Sequence, residues 1–289
     1  MKLAAADLHR LAGLAVSAAT DAAQLIARSR PEVVETKAAG ATLASQLVTE
    51  VDRRSEALVL DALSPTLDRF ELGLLTEERV DDRSRLEADH FWCIDPLDGT
   101  LPFVEGSPGY AVSIALVAHD GRPLIGVVAD PVTGTVSYAI AGAGAFRDGV
   151  RWTDAPTAAA DVLSVFADRS FLGRDDHAAL VDALDRIAHD LGLDGIEIDA
   201  TAGAVMNAYR VLDHPPGCYV KPPVVEGGGS LWDFAATACL FHERGAVATD
   251  VRGAPLDLNR ADATSLGHRG VLFASDDAVA ERIRALDLG

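Results

Sequence analysis

The segment Ile94-Asp95-Pro96-Leu97-Asp98-Gly99-Thr100 closes an apolar run, His90 to Ile94, that reads as a strand. It sets two carboxylates three residues apart across a proline. Pro96 is expected to make the chain leave the sheet, because it lacks a backbone N–H and restricts the residue before it. Gly99 permits a close backbone approach, and a helical turn after it would aim N–H groups at an oxyanion. Oxygen ligands of this type suit a hard cation such as Mg²⁺ better than zinc.

Upstream, Leu8, Leu11, Leu14, Ala18, Ala22 and Leu25 recur at helical steps, so an amphipathic helix is expected to end before Pro31. A polar connector runs from Glu32 to Gln46, around Lys37 and Gly40. Thr49 is placed to cap a second helix that continues to about Leu63 and stops at Ser64-Pro65. A short apolar run from Phe70 to Leu75 leads into Glu77-Glu78. Downstream, Tyr110–Ala118, Leu124–Ala129 and Thr135–Ile140 read as strands separated by Asp120-Gly121, Pro131 and Thr133-Gly134. After Arg151 the pattern alternates. Strands are predicted at Val162–Phe166 and Gly195–Ile198. Helices are predicted at Asp175–His189, Ala202–Leu212, from Trp232, and at Asp276–Leu286. The boundary falls near residue 150, with an α+β half over 1–150 and an α/β half over 151–289.

Other acids have suitable surroundings. Glu77-Glu78 ends a predicted strand, Asp52 lies in a predicted helix, and Asp233 opens the apolar helix Trp232-Asp233-Phe234-Ala235-Ala236. Taken singly, each reads as a turn, a loop end or a helix cap. Together, four acids in one crevice would repel, each close pair by about 4 kcal/mol at ~4 Å and an effective dielectric near 20. Cation binding relieves that repulsion, and proton uptake is the alternative.

The chain has 289 residues, 49% of them hydrophobic and 24% charged, which suits a core-forming protein. With 44 acidic and 25 basic residues its net charge is −19, which disfavours nucleic acid and anionic membranes as partners. An anionic substrate remains compatible if bound cations invert the local field. No apolar run is long enough to span a bilayer, and no signal-peptide pattern opens the chain, so a cytoplasmic location is expected. Cys93, Cys218 and Cys239 form no disulfide framework, and none has Arg six residues later, as a cysteine-dependent phosphatase requires. The Asp-x-Asp-x-Thr of haloacid-dehalogenase-type phosphatases is absent, since Glu197-Ile198-Asp199-Ala200-Thr201 begins with Glu. Gly142-Ala143-Gly144 is followed by Arg147 rather than the third glycine of a dinucleotide fingerprint.

The order Leu47-Val48-Thr49-x-x-Asp52, Glu77-Glu78, Asp95-Pro96-Leu97-Asp98-Gly99-Thr100 and Trp232-Asp233-x-Ala235-Ala236 resembles the inositol monophosphatase superfamily of Mg²⁺-dependent, lithium-sensitive phosphomonoesterases. The resemblance implies a layered α-β-α-β-α sandwich, a homodimer, and a site between the two halves. It implies two or three Mg²⁺ ions: one on Glu77, Asp95 and the Leu97 carbonyl, a second on Asp95, Asp98 and Asp233, and a third leaning on Glu77. Thr100, bonded to Asp52, would orient the attacking water together with Glu77. The N–H groups of Gly99 and Thr100 would bind phosphate, and a metal-activated water would attack in line.

Three departures from the family pattern bear on substrate. Thr76 stands where Gly or Ser is usual, and Leu101-Pro102-Phe103 replaces a more polar run. Gly203-Ala204-Val205 resembles a pocket-lining segment without its hydroxyl. Glu226, beside Gly227-Gly228-Gly229, matches the carboxylate that receives inositol hydroxyls. A small phosphorylated polyol, with inositol monophosphate as the type case, is therefore the expected substrate. The alternatives are an adenosine 3′,5′-bisphosphate nucleotidase, for which Lys221 and Tyr219 are the nearby candidate groups, and a fructose 1,6-bisphosphatase. From another class, a non-catalytic member would bind metal or a phosphorylated ligand.

Overall fold

A computed structural model describes residues 3–30, 34–36, 47–153, 160–286 and 288. Most of the expected connector, including Lys37 and Gly40, lies outside the described residues. Helix α1 (Ala5–Ala27) buries Leu11, Ala15, Ala18, Ala22 and Ile26 along one stripe, as its apolar spacing predicts. Strands β1 (Val34–Thr36) and β2 (Leu47–Thr49) pair antiparallel ahead of α2 (Glu50–Phe70).

The expected stop at Ser64-Pro65 is not where α2 ends. The helix continues to Phe70 with Pro65 inside it. Leu63, Thr66 and Phe70 are buried on its inner face, and the Thr66 hydroxyl accepts a 2.8 Å bond from the indole N–H of Trp92. Tertiary burial therefore overrides the proline's local cost.

The larger sheet follows the order β3 (Gly73–Thr76), β4 (His90–Asp98), β5 (Ala111–Ala118), β6 (Pro123–Ala129), β7 (Val136–Ile140), β8 (Gly144–Arg147) and β9 (Val150–Arg151). Only β3 and β4 pair in parallel; the rest pair antiparallel. The short strands β8 and β9 lie outside the strands expected from the sequence, because Gly142, Gly144, Asp148 and Gly149 interrupt the apolar pattern there. The smaller sheet has the order β11 (Gly195–Asp199), β10 (Val162–Phe166), β12 (Gly217–Lys221), β14 (Val271–Ala274), β13 (Val247–Thr249), with β10, β11 and β12 parallel.

The layers follow from which residues pack together. Along β4, Trp92 and Ile94 join α1 and α2 in one core, while Phe91 and Cys93 face the other way. That second face meets α5 (Ala204–Val211) and α6 (Leu231–Arg244), which also pack on Phe166, Tyr219 and Phe273 of the smaller sheet. Helix α6 is apolar almost all round because it lies between two sheets. The outer face of the smaller sheet is covered by α4 (His177–Asp190) and α7 (Asp277–Arg284). The result is an α-β-α-β-α sandwich. The short helix α3 (Thr100–Glu105) leaves the end of β4. No helix among the described residues is long and apolar enough to cross a membrane.

Candidate active site

The expectation that Pro96 turns the chain out of the sheet is corrected: β4 runs on through Asp98. Asp95 pairs with Ser113 and Asp98 with Ala111, so three steps along β4 match two along β5, and the register shifts between them. This is a β-bulge around Pro96-Leu97. In a regular strand, residues three apart point to opposite faces. The extra residue places Asp95 and Asp98 on one face, the face toward α6. The Ser113 hydroxyl, on that same face, donates to the Trp232 carbonyl at 3.0 Å and fixes the start of α6 against the bulge.

Asp233 enters from this helix end. Its Oδ2 accepts the Ser230 N–H at 2.8 Å as half of a capping box, so the cap reading and the site reading of Asp233 hold together. One oxygen from each of Asp95, Asp98 and Asp233 lies within 4.8 Å of the others. Glu77, directly after β3, shares a side-chain hydrogen bond with Asp95. Burial, then Glu77, Asp98 and Asp233, push the Asp95 carboxyl well above the usual range. Burial and Asp233 do the same to Asp98, with Glu77 and Asp168 adding. A buried all-oxygen cluster that resists ionisation in the absence of cations fits a hard divalent ion.

Asp98 is held from the other side. Its two oxygens accept the N–H groups of Ala204 at 3.2 Å and Val205 at 3.0 Å, from the first turn of α5. The Ala204 N–H, in the segment that resembles a pocket lining, thus positions a carboxylate. A Cβ on Gly203 would stand 2.3 Å from Asp98 Oδ2 and 2.7 Å from the Gly99 Cα, so only glycine permits this approach. Gly99 has φ +81°, and a Cβ there would meet the Gly109 carbonyl at 2.7 Å. Its left-handed conformation turns the strand into α3, with Pro102 in a first turn that needs no N–H from it.

Beside the cluster, Asp52 is buried at the third position of α2. Thr49 caps it through its N–H at 2.9 Å and its hydroxyl at 2.5 Å, both to Oδ2. That leaves Oδ1 for the Thr100 hydroxyl, at 3.0 Å. Burial raises the Asp52 pKa against these hydrogen bonds. The Leu97 N–H donates to Asp95 Oδ1 at 3.0 Å, and the Leu97 carbonyl lies 3.3 Å from the Thr100 hydroxyl. The Ser55 hydroxyl, on α2, ties the Pro96 carbonyl at 2.7 Å. Thr76, one of the departures, donates its hydroxyl to Glu56 at 2.9 Å. The structure thus gathers Glu77, Asp95, Asp98, Asp233, Asp52 and Thr100 from five elements.

Glu226 is exposed in the loop after β12. The residue that closes β12 is Lys221, whose Nζ lies 2.6 Å from Asp168 Oδ2. The Tyr219 hydroxyl donates to Asp168 Oδ1 at 2.6 Å, and the Asn207 amide reaches the same oxygen at 3.3 Å. Burial would raise the Asp168 pKa, but Lys221, Tyr219 and Asn207 hold it below the usual range. Tyr219 is fully buried, so its ring offers no face for a base to stack on. Lys221 was a candidate from the sequence, but Asp168 was missed, because the edge they share exists only once β10 and β12 pair.

The sequence profile described as the inositol monophosphatase family matches residues 7–285. The Nus factor SuhB of Escherichia coli K12 is 28% identical over 249 residues, spanning 85% of this chain and 87% of that protein. Inositol monophosphatase 2 of Solanum lycopersicum is 29% identical over 228 residues, 73% of this chain and 77% of its own. Among solved structures, the inositol monophosphatase of Anabaena superposes with a TM-score of 0.70 at 23% identity, covering 96% of each chain. A match over nearly the whole length, with the carboxylate cluster where the two sheets meet, establishes that the chain belongs to the inositol monophosphatase family.

Proposed function

We propose that this protein is a Mg²⁺-dependent phosphoric monoester hydrolase acting on a small phosphorylated polyol, of which inositol monophosphate is the type case. The observation that carries the reading is the Thr100 hydroxyl donating to Asp52 beside the carboxylate cluster. A protein that only binds cations needs the cluster but not this pair. The Nus factor relative favours a second reading, a family member that acts through a partner. In that reading the Thr100–Asp52 pair has no task.

Glu77, Asp95 and the Leu97 carbonyl would hold one ion, Asp95, Asp98 and Asp233 a second, and Glu77 would contribute to a third. When bound, such ions lower the pKa of water and neutralise charge on the phosphoryl group. The chain's own residues do the rest. Because Thr100 spends its proton on Asp52, its oxygen presents lone pairs and accepts a hydrogen bond from the attacking water. Glu77 accepts that water's other proton as general base while the water oxygen bonds phosphorus, the ester P–O bond breaks, and the leaving alkoxide takes a proton from solvent. The Gly99 and Thr100 N–H groups face the phosphate oxygens as the α3 turn begins. Gly203 lets the α5 turn close on Asp98 beside the phosphate site, and Glu226 receives the substrate's hydroxyls at the rim. A homodimer is part of the same proposal.

The test is phosphate release from myo-inositol 1-phosphate and from a panel of sugar and nucleotide phosphates, with Mg²⁺ and with excess chelator. Turnover that requires Mg²⁺ is the expected result. No release from any ester, or release indifferent to chelator, overturns the proposal.

A further inference from the structure

The parallel strands β10, β11 and β12 end along one edge of the smaller sheet. Asp168 follows β10, Ala202-Gly203 follows β11, and Lys221 closes β12. Ligands of open α/β sheets bind at this carboxyl edge. Here the edge abuts the acidic cluster directly, through Gly203 and the Val205 N–H against Asp98. Lys221 stands within electrostatic reach of both Asp233 and Asp98. Its ammonium lies 5.7 Å from the ring centroid of Phe234, the residue after Asp233.

Asp168 engages three partners: Oδ2 takes Lys221, and Oδ1 takes Tyr219 and Asn207. This arrangement fixes in place an ammonium that carries three donors. The Lys221 side chain keeps 17% of its surface exposed. A buried cation is costly unless paired, and Asp168 meets that cost before any substrate arrives. A neutral polyol gains from this ammonium only an ordinary hydrogen bond. A second anion on the substrate gains a charge-assisted one, roughly twice as strong. In a chain of net charge −19, a local cation also offsets the repulsion that such a substrate meets.

We propose that Lys221, held by Asp168, is a specificity-determining residue that selects phosphomonoesters whose non-reacting part carries a second anionic group, a phosphate or a carboxylate. The assignment rests on the hydrolase reading above and moves the preferred substrate from a singly phosphorylated neutral polyol to a doubly anionic ester.

Two matched substrate pairs test it on the full chain with saturating Mg²⁺. They are adenosine 3′,5′-bisphosphate against adenosine 3′-phosphate, and 3-phosphoglycerate against glycerol 3-phosphate. The wild type is expected to favour the doubly anionic member of at least one pair by tenfold or more in kcat/KM, about 1.4 kcal/mol. The pair that shows the preference identifies the anion. The double variant Lys221→Met/Asp168→Asn removes both charges together and keeps an acceptor for Tyr219. It should bring the ratio to within about threefold of one, chiefly through KM, while Lys221→Arg retains the preference. Both members are assayed on one preparation, so any loss of folded protein cancels. Ratios near one in both wild-type pairs, or a ratio the double variant leaves unchanged, overturn the assignment while continued phosphate release leaves the hydrolase reading standing. No release from these four esters or from myo-inositol 1-phosphate overturns both.

Discussion

Asp233→Asn isolates the electrostatic cost of the acidic cluster. One oxygen of Asp233 lies within 4.8 Å of those of Asp95 and Asp98. At that distance and an effective dielectric near 20, each fully ionised pair repels by roughly 3.5 kcal/mol. Burial and the neighbouring acids raise the Asp95 and Asp98 carboxyls, which favours proton uptake over full ionisation. The recoverable part is therefore smaller, about 1–3 kcal/mol. Asparagine keeps an oxygen for the Ser230 N–H, so the helix cap survives. Its amide can then donate to the neighbouring carboxylates.

The sign with pH follows from linkage. Carboxyls raised in the folded state contribute stability that is complete below their unfolded pKa and is lost as pH rises through the folded one. The gain should thus be large near pH 8 and small near pH 5. Thermal unfolding in chelator should show Asp233→Asn about 3–10 °C above wild type at pH 8, at 2–4 °C per kcal/mol for a chain of this size. With Mg²⁺ the order should reverse, because the variant loses a ligand, and turnover should fall by at least ~100-fold. A variant less stable than wild type in chelator at pH 8 would refute the repulsion argument.

Three further outcomes are expected. Thr100→Val should lower kcat by about 10²–10³-fold, within the range of lost acid–base positioning, while the Mg²⁺-induced rise in Tm persists; a lost Mg²⁺ response would mean that Thr100 supports the metal instead. Gly203→Ala forces a methyl to 2.3 Å from Asp98 Oδ2 and should cost about 1–3 kcal/mol and most activity; wild-type kcat/KM would show that the α5 turn can retreat. Pro65→Ala restores an N–H inside α2 at an exposed position and should raise stability by about 1–2 kcal/mol in urea, after the opposing gain in unfolded-state freedom; an unchanged midpoint would mean the helix is already relaxed around the proline.

The candidate acids were legible from their order along the chain, since each alone reads as a turn, a loop end or a helix cap. Asp95, Asp98, Glu77 and Asp233 each adjoin an apolar element, and a carboxylate next to a buried run is conspicuous. Local signals failed where packing outweighed them. At Pro65 the buried face of α2 carries the helix past its breaker, and at Pro96 pairing with β5 keeps the chain in the sheet as a bulge. Lys221 stood out only as a nearby cation and Asp168 not at all, since they are 53 positions apart and only the parallel pairing of β10 and β12 makes them neighbours.

By itself, the sequence determined the kind of chemistry: which oxygen donors are available, in what order, and on elements of what type. Residue identity and short-range spacing set these properties, and neither depends on distant contacts. The tertiary structure alone decided the facing of the donors. One extra residue in β4 turns Asp95 and Asp98 to the same side, and a helix enclosed between two sheets brings Asp233 to meet them. Facing depends on register and layer packing, which are summed over the whole core and written in no single segment.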